Sequence, residues 1–194
     1  MASAHRRARE VLAARRLDGT PLQQARALLE LADTSYQLGR HREAIELTTE
    51  ALPWLQENRR HDDLAETHYL RALAHNRLGE RGPASEDFEA VETFGQRGKH
   101  GLRASARVWM SGWEQDDTSA LALLGEAREI LRAHPADERV HAFVWLHLAR
   151  EQDRRGAPRR AEESLAEAEA IAATLGDAEL LARIDQQRGQ QRTP

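Results

Sequence analysis

The chain has 194 residues, of which 40% are hydrophobic, 5% aromatic and 31% charged, and its formal net charge is −4. This length fits one domain or one short repeat array. The absence of cysteine excludes disulfides and cysteine-ligated metal centres, and the mildly acidic balance argues against a general nucleic-acid surface. No apolar run reaches the ~18 residues of a membrane span, and the Arg-rich start lacks the apolar segment of a secretory signal. We therefore expect a cytoplasmic protein with no membrane partner.

A self-similar pattern runs along the chain. The segment "LELADTSYQLGRHREAIELTTEAL" stops an apolar run at Gly39, and "YLRALAHNRLGERGPASEDFEAVE" does the same at Gly79, 40 residues later. A weaker copy has Gln115 in place of the glycine, and a fourth copy surrounds Gly156. The repeat predicts an all-α solenoid, a single domain over residues 1–194. Its predicted elements are a leading helix at about 3–16, helix pairs at about 22–57, 62–95, 101–133 and 137–175, and a trailing helix at about 177–190.

Local chemistry predicts where several helices begin and end. Thr20 followed by Pro21 is typical of a helix N-terminus, and Asp116 and Asp177 are placed to cap the helices that follow them. Gly39 and Gly79 suit a left-handed helix end. Pro53 falls inside a predicted helix, which we expect it to kink or end near Leu52.

Small residues recur where two antiparallel helices must approach closely. The larger apolar residues between them are expected to fill the gaps between neighbouring pairs. The predicted small positions are Ala32, Ala44, Ala51, Ala72, Ala84, Ala149, Ala161 and Ala168, and the larger ones are Leu28, Ile45, Leu70, Phe88, Trp145, Leu148 and Leu165.

This pattern resembles the tetratricopeptide repeat family over about residues 22–175. The bulky, leucine and small positions of that family's first helix match Trp145, Leu148 and Ala149, and the alanine of its second helix matches Ala84 and Ala161. The spacing near 40 exceeds the usual ~34, as in the kinesin-light-chain-like branch and in bacterial regulators. A HEAT-like array is the alternative. The resemblance implies a right-handed α-solenoid that binds proteins and has no catalytic residue, cofactor or metal.

In such arrays the first helix of each pair lines a concave groove. Helical phase places on that face two tryptophans one helical turn apart, which would anchor a peptide, and arginines that would bind carboxylates. The alternative is that the tryptophans pack against the last helices and the arginines are solvated. The predicted groove residues are Tyr36, Tyr69, Leu73, Asn76, Arg77, Trp109, Trp113, Phe143, Arg150 and Arg154.

No catalytic or metal-binding motif is evident. His61, His68 and His75 are seven residues apart, which is ~10 Å along a helix and too far for shared coordination. We interpret the nine histidines as surface residues. Two groups of basic residues could touch phosphates, which leaves nucleic-acid binding as a distant alternative. They are Arg6, Arg7, Arg9, Arg15 and Arg16 of the N-terminal helix, and Arg97, Lys99, Arg103 and Arg107.

The sequence thus predicts a non-enzymatic scaffold that binds a peptide or partner segment. The alternative is a regulatory sensor of a signalling peptide or small molecule. The C-terminal stripe of Leu180, Leu181 and Ile184 is expected to cap the array, with a homodimer contact as the other interpretation.

Overall fold

The structure, a computed structural model, describes residues 2–135 and 139–191. Every regular element in these ranges is a helix, which confirms the all-α fold class. The elements are α1 Ala2–Asp18, α2 Pro21–Gln37, α3 His41–Glu57, α4 His61–Arg77, α5 Arg81–Phe94, a 3₁₀ turn Gly95–Arg97, α6 His100–Ser111, α7 Asp117–Ala133, α8 Arg139–Arg154, α9 Pro158–Leu175 and α10 Ala178–Gln191.

The predicted helix pairs agree with these bounds to within a few residues, although residues 137 and 138 of the fourth pair lie outside the described ranges. The chain divides into two compact units, unit 1 (Met1–Lys99) and unit 2 (His100–Pro194). The boundary falls within the glycine-rich segment GQRGKHG, residues 95–101. None of the described helices has the length and apolarity needed to cross a membrane.

Unit 1 contains α1 and the pairs α2–α3 and α4–α5. Consecutive helices pack on each other, and α2 also contacts α4, so the two first helices are neighbours. Ala8 and Leu12 of α1 join a core that includes Leu28, Leu31 and Leu55. The leading helix therefore covers apolar surface that the first pair cannot bury alone.

Unit 2 contains the pairs α6–α7 and α8–α9 followed by α10. The first helices α6 and α8 contact each other, and α10 packs on both α8 and α9. Leu180 and Ile184 of α10 are 0% and 1% exposed. They join the same core as Trp145, Leu148 and Leu165, which confirms that α10 caps this unit.

The helix ends follow the predicted chemistry. Thr20 and Gln23 form a reciprocal capping box at α2. The Asp116 carboxylate accepts a hydrogen bond from the Ser119 amide, and the Asp177 carboxylate accepts one from the Leu180 amide. These side chains satisfy amide groups that the first turn of a helix leaves unpaired.

The predicted alanine positions are all buried, with Ala32, Ala44, Ala72 and Ala84 at 0% exposure. A larger side chain there would separate the paired helices. Most of the larger predicted core residues are buried as well, whereas Ile45 and Leu70 are only partly buried.

The expected break at Pro53 was wrong, because α3 runs without interruption from His41 to Glu57. Proline removes the amide that would donate to the carbonyl of Thr49. Both Pro53 and Thr49 lie on the exposed side of α3, where water can hydrogen-bond to the unpaired carbonyl. Leu52 and Leu55 on the other side are buried at 6% and 1% exposure, and their packing holds the helix together.

Candidate partner-binding faces

The predicted groove residues fall on two surfaces, one in each unit. The unit 1 face is the outward side of α2 and α4, and the unit 2 face is the outward side of α6 and α8. Unit 1 contributes Tyr36, Tyr69, Leu73, Asn76 and Arg77, and unit 2 contributes Trp109, Trp113, Phe143, Arg150 and Arg154.

The unit 1 face brings Tyr36 of α2 and Arg77 of α4 together. The Arg77 Nε donates a long hydrogen bond of 3.4 Å to the Tyr36 hydroxyl. Tyr69 is half-buried, and its ring centroid lies 6.0 Å from that of the fully buried Phe88. Tyr69 is therefore tied to the core, whereas Arg77 keeps an exposed guanidinium without an ion pair among the described residues.

A cluster of charged side chains that was not predicted from the sequence lies at the end of α4 and in the loop that follows it. The Glu80 carboxylate accepts a hydrogen bond from His75 Nδ1 at 2.6 Å and lies 3.1 Å from Arg42. The hydrogen bond from His75 is the largest influence that lowers the pKa of Glu80, and Arg42 adds to it. These contacts connect Glu80, in the loop between α4 and α5, to the end of α4 and to α3.

On the unit 2 face, Trp109 of α6 meets His147 of α8. The two ring centroids are 5.8 Å apart and the rings stand edge to face. Trp109 is half-buried and His147 is exposed. Although part of the side chain is exposed, its packing against the neighbouring helices desolvates the imidazole and lowers the pKa of His147, and the positive charge of Arg150 and Arg183 lowers it further. His147 therefore adds an aromatic surface, rather than a fixed charge, beside Trp109.

Phe143 is largely covered by cations of its own unit. The guanidinium carbons of Arg139 and Arg183 lie 5.0 Å and 5.5 Å from the Phe143 ring centroid. Both arginines are also ion-paired to Glu179. An aromatic ring already engaged in cation–π contacts offers less to a partner than an open one.

The two predicted arginines of α8 differ in their surroundings. The Arg154 guanidinium donates to the Glu151 carboxylate at 2.6 Å and 3.0 Å. Arg150 is exposed and has neither an ion pair nor a hydrogen bond among the described residues. On the unit 2 face, Arg150 and His147 are thus exposed, and the half-buried Trp109 lies against His147.

Trp113 does not lie one helical turn beyond Trp109. Helix α6 ends at Ser111, and Trp113 follows in a turn where its amide donates to the Met110 carbonyl at 3.0 Å. The helix stops early because Gly112 and the polar run after Trp113 lack the apolar stripe that would extend it. The expectation that both tryptophans lie one helical turn apart on the same helix was therefore wrong.

The interpretation of all histidines as surface residues was also wrong. His5, His68 and His141 are buried, with exposures of 5%, 7% and 6%. His68 Nδ1 lies 2.8 Å from Oδ1 of Asp87, which is 2% exposed. A signal was present in the sequence, because Asp87 shares a helical stripe with Ala84 and Val91 of the core.

Two of the five arginines of α1 considered for phosphate binding form ion pairs within unit 1. Arg9 lies 2.5 Å from Glu43, Arg16 lies 2.6 Å from Glu50, and both bonds tie α1 to α3. These two arginines connect α1 to α3, whereas the other arginines of α1 are exposed, and nucleic-acid binding by α1 stays a prediction.

The described residues contain no group of three or more histidine, aspartate or glutamate side chains arranged to hold a metal ion. No protein-family model matches the chain, and no curated protein matches its sequence. The tetratricopeptide resemblance accordingly stays a prediction carried by the residue pattern.

Proposed function

We propose that the chain is a non-enzymatic interaction module, a cytoplasmic tetratricopeptide-like right-handed solenoid, that holds a peptide or partner segment on its first-helix faces. The observation that carries this proposal is the accessible group of Trp109, His147 and Arg150 on the unit 2 face. Tryptophan and arginine are the residue types most enriched among binding hot spots.

The unpaired guanidinium of Arg150 favours a partner segment that carries a negative charge. An arginine without an internal ion pair can bind a carboxylate through two parallel hydrogen bonds without first breaking another contact. Trp109 of the neighbouring α6 and the His147 ring, three residues before Arg150 on α8, offer an aromatic surface beside it, and the lowered pKa of His147 favours its neutral form. We therefore expect the partner segment to combine an acidic residue with an aromatic or aliphatic one.

Trp109 and Arg150 can be removed without opening the core. Trp109 is half-buried and Arg150 exposed, whereas the residues that hold α6 and α8 together, including Val108, Leu148 and Ala149, point the other way and are buried. Loss of binding in a folded variant would consequently report on the face itself.

A random peptide display library selected against the whole chain provides the probe. The recovered peptides should be enriched in acidic residues next to an apolar one, and their affinities can be measured by fluorescence polarisation. The double variant Trp109→Ala, Arg150→Ala should abolish binding while circular dichroism and the melting temperature stay nearly unchanged.

Arg160→Ala supplies the matched control, because Arg160 is exposed on α9 and makes no ion pair among the described residues. It should bind the peptides like the wild type. Peptides that bind the double variant as tightly as the wild type would refute the assignment, and an unfolded double variant would show that these residues belong to the core.

A further inference from the structure

Unit 2 contains a cavity of about 340 Å³ between α7, α8 and α9. This volume is at the lower end of the ~300–1,000 Å³ of small-molecule sites, so the cavity suits a metabolite rather than a peptide. Trp145 of α8, at 4% exposure, and Ile171 of α9 give it apolar walls. Ala170 is exposed at its edge. None of these residues belongs to the unit 2 face.

Two opposite charges line the same cavity. Arg132 of α7 and Glu167 of α9 both contact it. Both side chains are exposed, and neither has an ion pair or hydrogen bond among the described residues. Two unpaired opposite charges on facing helices of one cavity could therefore each bind a charged group of a ligand.

A similar arginine–glutamate pair one helical turn earlier does form an ion pair. Arg128 and Glu163 lie one helical turn before Arg132 and Glu167, and these two side chains form an ion pair that bridges α7 and α9. Arg132 and Glu167 repeat these residue types four residues later on the same two helices. They form no ion pair, and both line the cavity. A ligand that carries both a carboxylate and an ammonium group would bridge Arg132 and Glu167.

The geometry points to a site for a small zwitterion with an apolar side group, such as a free α-amino acid with an aromatic or aliphatic side chain. The ligand carboxylate would bind the Arg132 guanidinium, and its ammonium group would bind the Glu167 carboxylate. Its side group would lie against Trp145 and Ile171. This site is separate from the proposed partner-binding function and does not depend on it.

Isothermal titration of the whole chain with L-phenylalanine and L-leucine tests the site, with tryptophan fluorescence as a second readout because Trp145 forms a wall. Two analogues separate the charges: 3-phenylpropionate lacks the ammonium group and phenethylamine lacks the carboxylate. Each analogue should bind roughly tenfold or more weakly than L-phenylalanine, since it leaves one charge-assisted hydrogen bond unmade.

Three variants locate the binding. Arg132→Gln and Glu167→Gln change exposed, unpaired side chains, so they should weaken binding of L-phenylalanine by a similar factor without unfolding the chain. Ala170→Phe should block the cavity. Ala173→Phe is the control, because Ala173 is exposed on the same helix but does not line the cavity, and it should bind like the wild type.

Saturable binding that Ala170→Phe abolishes and Ala173→Phe leaves intact would support the site. Three results would each overturn it: no saturable binding of either amino acid up to its solubility limit, equal binding of the two single-charge analogues and L-phenylalanine, or unchanged binding by the Ala170→Phe variant.

Discussion

Asp87 of α5 accepts hydrogen bonds from both His68 and Arg71 of α4 in the interior of unit 1. His68 Nδ1 lies 2.8 Å from its carboxylate, and Arg71 donates to the two oxygens at 2.9 Å and 2.7 Å. Because an ionised carboxylate only accepts, the proton of the imidazole sits on Nδ1. His68 Nε2 is buried without a hydrogen-bond partner, and the ring stacks on Phe94 at 5.6 Å.

Replacing Asp87 should destabilise unit 1 strongly. Asp87→Ala leaves the Arg71 charge and the His68 Nδ1–H without their acceptor, and breaking a buried charge pair in this way typically costs about 3–5 kcal/mol. Urea denaturation followed by circular dichroism measures the loss. Glu86→Ala, at an exposed neighbouring position, should change the free energy of unfolding by less than about 0.5 kcal/mol.

The ionisation of Asp87 should make the stability of unit 1 depend on pH. Burial raises the pKa of Asp87, but the hydrogen bonds from His68 and Arg71 outweigh it, so the folded-state pKa is lowered. The resulting stabilisation is present above the unfolded pKa of about 3.9 and is lost as the pH falls through the folded value. The difference in stability between wild type and Asp87→Ala should therefore shrink below about pH 4. A difference that stays constant down to pH 2 would contradict this assignment.

Replacement by alanine should change the stability of the fold in opposite directions at two glycines close to the start of α5. Gly79 has φ of +76°, where a side chain is strained, although a Cβ there would meet no atom within 4 Å. Gly79→Ala should cost about 1–2 kcal/mol, the penalty for an L-residue in the left-handed region. Gly82 lies in the first turn of α5 with open space around it, so Gly82→Ala should stabilise by up to about 1 kcal/mol.

Thermal denaturation of both variants gives the comparison directly. Gly79→Asn should fall between wild type and Gly79→Ala, because asparagine tolerates the left-handed conformation better than alanine. Equal effects of alanine at positions 79 and 82 would mean that backbone conformation does not decide the stability of this turn.

The sequence was sufficient to predict the helix pairs because their signals are local. Capping at Thr20, the left-handed glycine Gly79 and the alanine positions each depend on neighbours within one or two turns. The position of Asp87 in the core depends instead on a contact with His68 nineteen residues away, and His68 was interpreted as a surface residue. A buried polar pair can be predicted only when each partner is known to satisfy the other.

The two partner-binding faces were predicted only in part, because the sequence indicates local exposure but not contacts with distant residues. Helical phase correctly placed Arg150 and Arg154 on an exposed side of α8, but it could not reveal that Glu151 engages one and leaves the other open. His147 was overlooked because its aromatic role depends on the approach of Trp109 from a different helix. Exposure follows from periodicity, whereas availability depends on which partners a side chain already has.

Pro53 should be replaceable with a gain in stability. Pro53→Ala restores the amide that donates to the Thr49 carbonyl and removes a ring that crowds it. A proline in a helix interior costs roughly 3 kcal/mol relative to alanine, reduced by the ~1 kcal/mol that proline contributes by restricting the unfolded chain. We expect a gain of about 1–2 kcal/mol, measured by thermal denaturation. A lower melting temperature would show that the proline ring contributes more to the stability of α3 than it costs, and Gln56→Ala on the same helix controls for general effects of alanine.

Reversing the charge of Arg150 tests whether the unit 2 face selects an acidic partner. With a peptide recovered by display, Arg150→Glu should weaken binding by about tenfold or more at low salt, because attraction becomes repulsion across a contact between unlike charges. The difference from wild type should shrink at ~1 M salt, where the screening length is about 3 Å. Arg160→Glu changes the net charge of the chain by the same amount at a distant exposed site. Equal weakening by both variants would mean that the peptide senses only the net charge of the protein, and the assignment of Arg150 as a contact would be lost.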